Sequence, residues 1–353
     1  MREARLSFLL LLGLLCAAPL AAQAPLPVHV GGRAVHERDG SWQFGWPGVY
    51  FESRFRGTGV TVAVETSTEF FRVTIDGGER ARLVRPGTAR LTISGLAPGE
   101  HVVRLDKLTE SQEGGGRFLG FLPVAGDVAL PPTARARRIE FIGDSFTVGY
   151  GDAAPGRTCT RPEVHDYTDT SHAWSALAGA RLDADYRIIA YSGIGVVRNY
   201  DGAMPGTSLP TLYDRMLPGD PAPLESSAGA WHPQLIVISL GANDFSTPLH
   251  ANEPWRDQDA LRADWRAHYV AFVRRLMVRQ PQARFLLMGH DPFFPDVEQV
   301  AAELNRNAAR PVLTLHYGDL QLTGCDFHPS LADHRALAEQ VTGAIGRIEA
   351  LWN

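Results

Sequence analysis

Residues 137–151 read RRIEFIGDSFTVGYG. Ile139, Phe141 and Ile142 have the apolar character of a buried strand, and the run stops at Gly143-Asp144, where Ser145 follows at once. Gly, Asp and Ser bend chains for local backbone reasons, so the triplet fits a plain turn. It also fits a nucleophile held at the carboxyl end of a strand. What the rest of the chain brings to the same edge decides between the two.

Beyond this stretch, apolar strands are predicted near 138–143, 186–191, 235–240, 284–289 and 311–316, and they alternate with helical stretches. One of these covers 261–279, where Leu261, Trp265, Tyr269, Phe272 and Leu276 recur at the spacing of one inward helix face. Such alternation predicts a parallel sheet covered on both sides, a three-layer α/β/α domain. In open parallel sheets ligands bind outside the carboxyl ends of the strands, where Ser145 falls. YSGIG (191–195) follows the second strand and GANDFS (241–246) the third. GCDFHPS (324–330) lies between the last strand and the final helix.

Upstream, from about Val28 to Val128, the pattern changes to short alternating runs split by turn residues: GVYFESRF, GVTVAVE, FFRVTIDGG, ARLTISG and GEHVVRLDKL. Val60, Val62 and Val64 share one face, the period of a half-buried strand, and the whole segment reads as an antiparallel β-sandwich. Asp76-Gly77-Gly78 fits a tight hairpin turn, and Gly95, Pro98 and Gly99 punctuate the next pair. Pro131-Pro132 in ALPPTARARR stiffens a link between two units. At 353 residues, two domains are the default. The expected division is a signal peptide at 1–24, a sandwich at 25–128, a linker at 129–137 and a catalytic domain at 138–353.

The signal reading rests on Arg2 and Arg5, an apolar core from Leu6 to Leu15 and small residues that allow cleavage after Ala22 or Ala24. Leu15 stands before Cys16 where a lipoprotein needs a small residue. The expected destination is the periplasm or the exterior. No later stretch is long enough to span a bilayer, and a formal charge of −5 gives no basic face for nucleic acid. Two of the three cysteines, Cys159 and Cys325, lie past the signal; in an oxidising compartment they are expected to form a disulfide, the alternative being two unrelated buried thiols.

A serine hydroxyl barely ionises at neutral pH, so acyl transfer needs a base for its proton and donors for the oxyanion. His328 is the candidate base. Asp326, two residues earlier, would share a side with it on an extended loop and meet Nδ1, completing a Ser-His-Asp triad. The backbone N–H of Ser145, the N–H of Gly193 and the side-chain amide of Asn243 are the candidate oxyanion donors. Gly193 lacks a Cβ and lets its amide approach closely. Phe245 and Phe327 are candidate apolar platforms beside the reacting ester, with a core role as the alternative. Arg198, Asn199 and Tyr200 fit either loop support or hydroxyl contacts. Asp144 fits an anchor for the turn. His165, His172, His290 and His334 lack metal-ligand spacing, and the chemistry requires no metal or organic cofactor.

Ser145 in GDSF, Gly193, Asn243 in GAND, and Asp326 with His328 resemble the four sequence blocks of SGNH, or GDSL-type, hydrolases. Thr147 stands where the G-x-S-x-G elbow of α/β-hydrolases needs glycine, which argues against that fold. The stretches WPGVYFESRF, IDGG and GEHVVRLDKLTE, with DTSHAWSALAGARLDADYRIIAYSGIGVVRNYDG, extend the resemblance to carbohydrate esterase family 2 over nearly the whole chain past the signal. It implies a jelly-roll domain before an SGNH domain that removes acetyl groups from plant polysaccharides such as xylan, mannan or glucomannan, often at the 6-hydroxyl of a hexose. Some members of the family have no aspartate partner for the histidine and orient it through a backbone carbonyl, so the resemblance leaves Asp326 open. Several relatives carry tryptophan where Phe327 stands. Two other readings remain open at this level: an esterase of the same fold for lipids, thioesters or cell-wall glycans, and a noncatalytic carbohydrate-binding protein whose sandwich is the working part.

Overall fold

Between residues 50 and 107 the chain forms long bent strands where its turn residues predict short ones. The computed structural model describes residues 24–220, 231–306 and 310–352; the expected signal, Cys16 included, lies outside the described residues except for residue 24. The first domain is built from β1 (His29–Gly31), β2 (Ala34–His36), β3 (Trp42–Phe44), β4 (Tyr50–Thr66), β5 (Phe70–Ile75), β6 (Gly78–Val84), β7 (Gly87–Lys107), β8 (Gly116–Pro123) and β9 (Val128–Leu130). Their order is β2-β3-β8-β4-β7-β5-β6, with β1 and β9 also paired to β4, all antiparallel. β4 and β7 pair along almost their whole length, through a register shift at Gly57–Gly59 opposite residues 95–98. The two strands bend there without ending, and the unpaired corner amides are satisfied. The Asp127 carboxylate accepts from the N–H groups of Thr58 at 3.0 Å and Gly59 at 3.3 Å. A Cβ on Gly57 would stand 1.9 Å from that carboxylate. The expected hairpin does form at Asp76-Gly77, with φ of 53° and 78° between paired Ile75 and Gly78. β9 still pairs with β4 as far as Leu130, two residues past the expected edge of the sandwich at 128.

The second domain carries β10 (Arg137–Gly143), β11 (Ala184–Ala190), β12 (Leu235–Ser239), β13 (Arg284–Gly289) and β14 (Leu313–His316), in the order β11-β10-β12-β13-β14 and parallel throughout. Its helices are α1 (Ser145–Val148), α2 (Arg161–Tyr167), α3 (Trp174–Arg181), α4 (Leu209–Leu212), α5 (Ala242–Phe245), α6 (Gln258–Arg279), α7 (Phe294–Asn305) and α8 (Leu331–Gly346). Successive strand residues point to opposite faces. Ile142, Ile236, Ile238 and Leu287 pack with Trp265, Tyr269 and Val297 of α6 and α7. Phe141, Leu235, Val237 and Leu286 pack with Trp174 and Leu337 of α3 and α8. The three layers predicted from the alternation are therefore present. α6 starts at Gln258, one turn before the expected 261, because the Asp257 carboxylate caps it by accepting from the Ala260 N–H at 2.8 Å.

The sandwich docks on the β11 edge of this sheet through paired, buried polar groups. Tyr50 donates to Asp185 at 2.9 Å, Arg104 lies 3.6 Å above the Tyr50 ring and donates to the Tyr186 hydroxyl at 2.9 Å, and Arg33 pairs with Glu140 at 3.2 Å. Burial of such groups is tolerable only when each finds a partner, which ties the orientation of the two domains to this set of bonds.

Candidate active site

β10 ends at Gly143 because the chain must turn tightly under β12: a Cβ there would fall 2.0 Å from Thr147 Oγ1 and 3.0 Å from the Ser239 carbonyl. Asp144 caps α1, its carboxylate accepting from the Phe146 N–H at 3.1 Å, which is the anchoring role its position suggests. Burial lifts the Asp144 carboxyl to about 7. Ser145 is thereby the first residue of α1. Its own N–H belongs to the first turn, where amides have no acceptor within the helix.

The structure brings His328 to this serine across 183 residues, with Nε2 2.8 Å from Ser145 Oγ. Nδ1 lies 3.0 Å from the Cys325 carbonyl and 3.2 Å from the Asp326 carbonyl. Carbonyl oxygens only accept, so Nδ1 carries the proton and Nε2 presents its lone pair to the serine hydroxyl.

Asp326 is where the expectation has to be corrected. The loop is not extended: Asp326 and Phe327 are both left-handed, with φ of 50° and 62°, inside a tight 3-10 turn at Cys325–Phe327. The turn rotates the Asp326 carboxylate away from the imidazole, and it accepts instead from the Tyr150 hydroxyl at 3.0 Å. The two carbonyls occupy the place expected for the carboxylate. Tyr150 itself lies with its ring 4.2 Å from the imidazole, a neighbour that sequence reasoning missed although Tyr150 lies in the opening stretch. Burial and the adjacent Asp326 push its phenol well above the usual range.

The expected disulfide forms between Cys159 and Cys325, Cα atoms 5.5 Å apart. It fixes Cys325, one of the two residues whose carbonyls accept from the Nδ1–H. Further bonds hold the same loop, from the Cys325 N–H to the Gly151 carbonyl at 3.2 Å and from the Asp326 N–H to the Arg157 carbonyl at 2.7 Å.

Gly193 sits past β11 in a turn closed by the Ile194 N–H on the Tyr191 carbonyl at 3.3 Å. The requirement for glycine is conformational here, not one of crowding. Its φ is +80°, whereas a Cβ would meet nothing within 4 Å. Asn243, in the short α5, donates one amide hydrogen to the Ile194 carbonyl at 3.1 Å, leaving the second. Asp244, which sequence reasoning also missed, is fully buried and accepts from the N–H groups of Val196 at 3.1 Å and of Val197 and Arg198 at 2.9 Å. Burial raises its carboxyl to about 6, against the opposing pull of those amides. The Asp of GAND was the only sequence signal for it.

Loop support is the role that Arg198 and Asn199 take. Arg198 pairs with Glu253 at 2.8 Å, and the Asn199 amide accepts from Gly195 and donates to three carbonyls between 203 and 207. Tyr200 is exposed. The Phe245 ring, partly buried, packs against Trp265 and Phe293 and under the Arg262 guanidinium, contacts that favour the core role. Phe327 is 63% exposed beside His328, with the Arg157 guanidinium 4.7 Å from its ring. From the sandwich, the Glu110 carboxylate accepts from the Ser192 hydroxyl and Ser111 donates to the Ala190 carbonyl at 2.7 Å. His165 meets the Thr68 carbonyl at 2.9 Å, His172 the Asp169 carboxylate at 3.3 Å, and His290 the Asp291 carbonyl at 2.6 Å; His334 accepts from the Trp174 N–H at 3.2 Å. Among the described residues, no group of three or more His, Cys, Asp and Glu is arranged to hold a metal ion, and no helix is long and apolar enough to cross a membrane.

Burial disfavours the imidazolium and lowers the His328 pKa to about 4, the two carbonyls opposing only part of that effect. Protonation removes the lone pair that faces Ser145, so the base is competent above this value and is lost as pH falls through it. The His328 ring resonance, identified by its disappearance in His328→Gln, is expected to titrate near pH 4 in NMR spectra of the protein. A midpoint at the ordinary imidazole value of about 6.5 contradicts the desolvation of this half-buried ring.

Comparison with known proteins gives a consistent result. Residues 30–132 match the family described as Carbohydrate esterase 2 N-terminal, and residues 141–341 match the GDSL-like Lipase/Acylhydrolase family. An acetylxylan esterase / glucomannan deacetylase of Cellvibrio japonicus is 41% identical over 97% of this chain and 98% of its own length. A solved carbohydrate esterase, described as having an active site with divergent catalytic and non-catalytic binding functions, superimposes with a TM-score of 0.88 at 38% identity, over 94% of this chain and all of that one. A family two carbohydrate esterase from Clostridium thermocellum, solved in complex with cellohexaose, gives 0.80 at 27% identity, over 93% of this chain and all of that one.

Proposed function

The chain belongs to carbohydrate esterase family 2, with a catalytic domain of the GDSL-like acylhydrolase family, and from that premise we propose that it removes acetyl groups from plant polysaccharides through an acetyl-serine intermediate. The contact that carries this reading is the 2.8 Å approach of His328 Nε2 to Ser145 Oγ. Ser145 Oγ attacks the acetyl carbonyl as His328 Nε2 takes its proton, and the Nδ1–H bonds to the Cys325 and Asp326 carbonyls hold the ring in the tautomer that permits this. The N–H groups of Ser145 and Gly193 and the free hydrogen of the Asn243 amide receive the oxyanion. Collapse of the tetrahedral intermediate breaks the bond to the sugar oxygen, which leaves with the proton from Nε2. Water then attacks the acetyl group while Nε2 accepts one of its protons. Acetate departs, and Ser145 Oγ regains the proton.

Xylan, mannan and glucomannan are the substrates this reading favours, with the 6-hydroxyl of a hexose as one position. Phe327, exposed beside His328, offers an apolar face to a sugar ring. Export by an N-terminal signal, to the periplasm or beyond, fits both the polymeric substrate and the Cys159–Cys325 bridge. The test is acetate release from acetylated xylan and glucomannan oligosaccharides followed by NMR, alongside a series of p-nitrophenyl esters of increasing acyl length. Acetate release with a preference for the acetyl ester is expected. A preference for long acyl chains, or binding of the polysaccharide with no acetate released, contradicts the proposal.

A further inference from the structure

The turn that carries Gly193 is gripped by the other domain. In the turn Tyr191–Ile194, Ser192 and Gly193 are the two central residues, and the φ of +80° at the second is the signature of a type II turn. A type I turn of the same four residues differs by turning the central peptide over by roughly half a revolution, and that peptide contains the Gly193 N–H. Glycine accepts either conformation, so its sequence alone does not choose which way the N–H points. What holds Ser192 and the strand end before it bears on that choice. Ser192 Oγ donates to the carboxylate of Glu110, and Ser111 Oγ donates to the Ala190 carbonyl at 2.7 Å.

Glu110 is itself fixed. Lys107, fully buried, pairs with Glu69 at 2.9 Å and donates to the Thr109 carbonyl at 2.6 Å and the Glu110 carbonyl at 2.7 Å. The other Glu69 oxygen accepts from the Gly115 N–H at 2.8 Å, closing the loop that begins after β7. Glu110 is only 4% exposed, so its grip on Ser192 is little diluted by water.

We propose that Glu110 of the sandwich is a positioning residue of the oxyanion hole, holding Ser192 so that the Gly193 N–H faces the reacting carbonyl. This rests on the reading of Gly193 as an oxyanion donor, and it gives the sandwich a part in catalysis that does not depend on its binding glycan. A small displacement of one donor is enough to matter, since misplacement by about 1 Å costs on the order of 100-fold in rate.

The test compares wild type, Glu110→Gln, Ser192→Ala and the double variant on p-nitrophenyl acetate, with methylboronic acid as a tetrahedral adduct of Ser145. In each single variant kcat is expected to fall about 10- to 100-fold with KM within twofold. Affinity for methylboronic acid is expected to fall by a similar factor, and the double variant to be no slower than Ser192→Ala. A purely structural role would lower the unfolding temperature without this split. If Glu110→Gln does not fold, Ser192→Ala carries the test alone. Single variants with kcat within twofold of wild type, or additive losses in the double variant, overturn the proposal. Wild-type protein that releases no acetate overturns the esterase reading instead.

Discussion

Replacing His328 by alanine is expected to lower acetate release by about 10⁴–10⁶-fold, and Ser145→Ala to reach the same floor, whereas Asp326→Asn is expected to cost less than about tenfold. The first two remove the members of one hydrogen-bonded pair, Nε2 and Oγ at 2.8 Å, so neither retains function without the other. The third separates two explanations of the histidine. Where a carboxylate orients the imidazole, its conversion to the amide costs about 10⁴-fold because the wrong tautomer is stabilised. Here Nδ1 faces the carbonyls of Cys325 and Asp326, which the substitution leaves in place. Asparagine tolerates the left-handed backbone that Asp326 adopts, and its amide oxygen can still accept from Tyr150. Rates are to be measured as acetate release by NMR, with circular dichroism to verify folding. A loss near 10⁴-fold in Asp326→Asn means that the carboxylate does reach Nδ1 during turnover.

The orientation of the imidazole lies past what the sequence alone carries. The parallel sheet, the side on which Ser145 lies and the approach of the His328 loop all follow from apolar periodicity and from the rule that functional groups gather at strand carboxyl ends, and both are local signals. The position of the Asp326 carboxylate depends on two consecutive left-handed residues, one of them Phe327, and nothing in the side chain of a phenylalanine announces positive φ. Reading residues i and i+2 as neighbours on an extended loop therefore failed at the point where the loop coils. β4 and β7 were misread for a related reason. Glycine marks a corner as readily as an end, and the corner is kept in the ladder by Asp127, some 70 residues away from Thr58 and Gly59. Glu110 lay beyond reach for a third reason. It meets Ser192 across the domain boundary, 82 residues along the chain, and docking of two domains leaves no periodic trace in either. Phe245 shows the converse, in that proximity to Asn243 in sequence says nothing of the partly buried packing of its ring against Trp265 and Phe293.

Asn243→Ala is expected to lower kcat by about 10²–10³-fold, a loss of about 2.7–4 kcal/mol of transition-state stabilisation, with little change in KM. The side chain has two hydrogens and divides them. One is committed to the Ile194 carbonyl at 3.1 Å, which fixes the amide plane against the turn containing Gly193; in the proposed mechanism the other receives the charge that develops on the acetyl oxygen. A donor held in this way costs no reorganisation at the moment of reaction, and because the amide is nearly buried its interaction with the anion is weakly screened. Asn243→Asp is expected to be at least as slow as the alanine variant, since an ionised carboxylate donates nothing and repels both the Ile194 carbonyl and the oxyanion. The pair of variants separates lost donation from lost packing: a mere packing defect would leave the near-isosteric aspartate faster than alanine. Steady-state kinetics on p-nitrophenyl acetate read the outcome, and a kcat within threefold of wild type for Asn243→Ala removes Asn243 from the oxyanion hole.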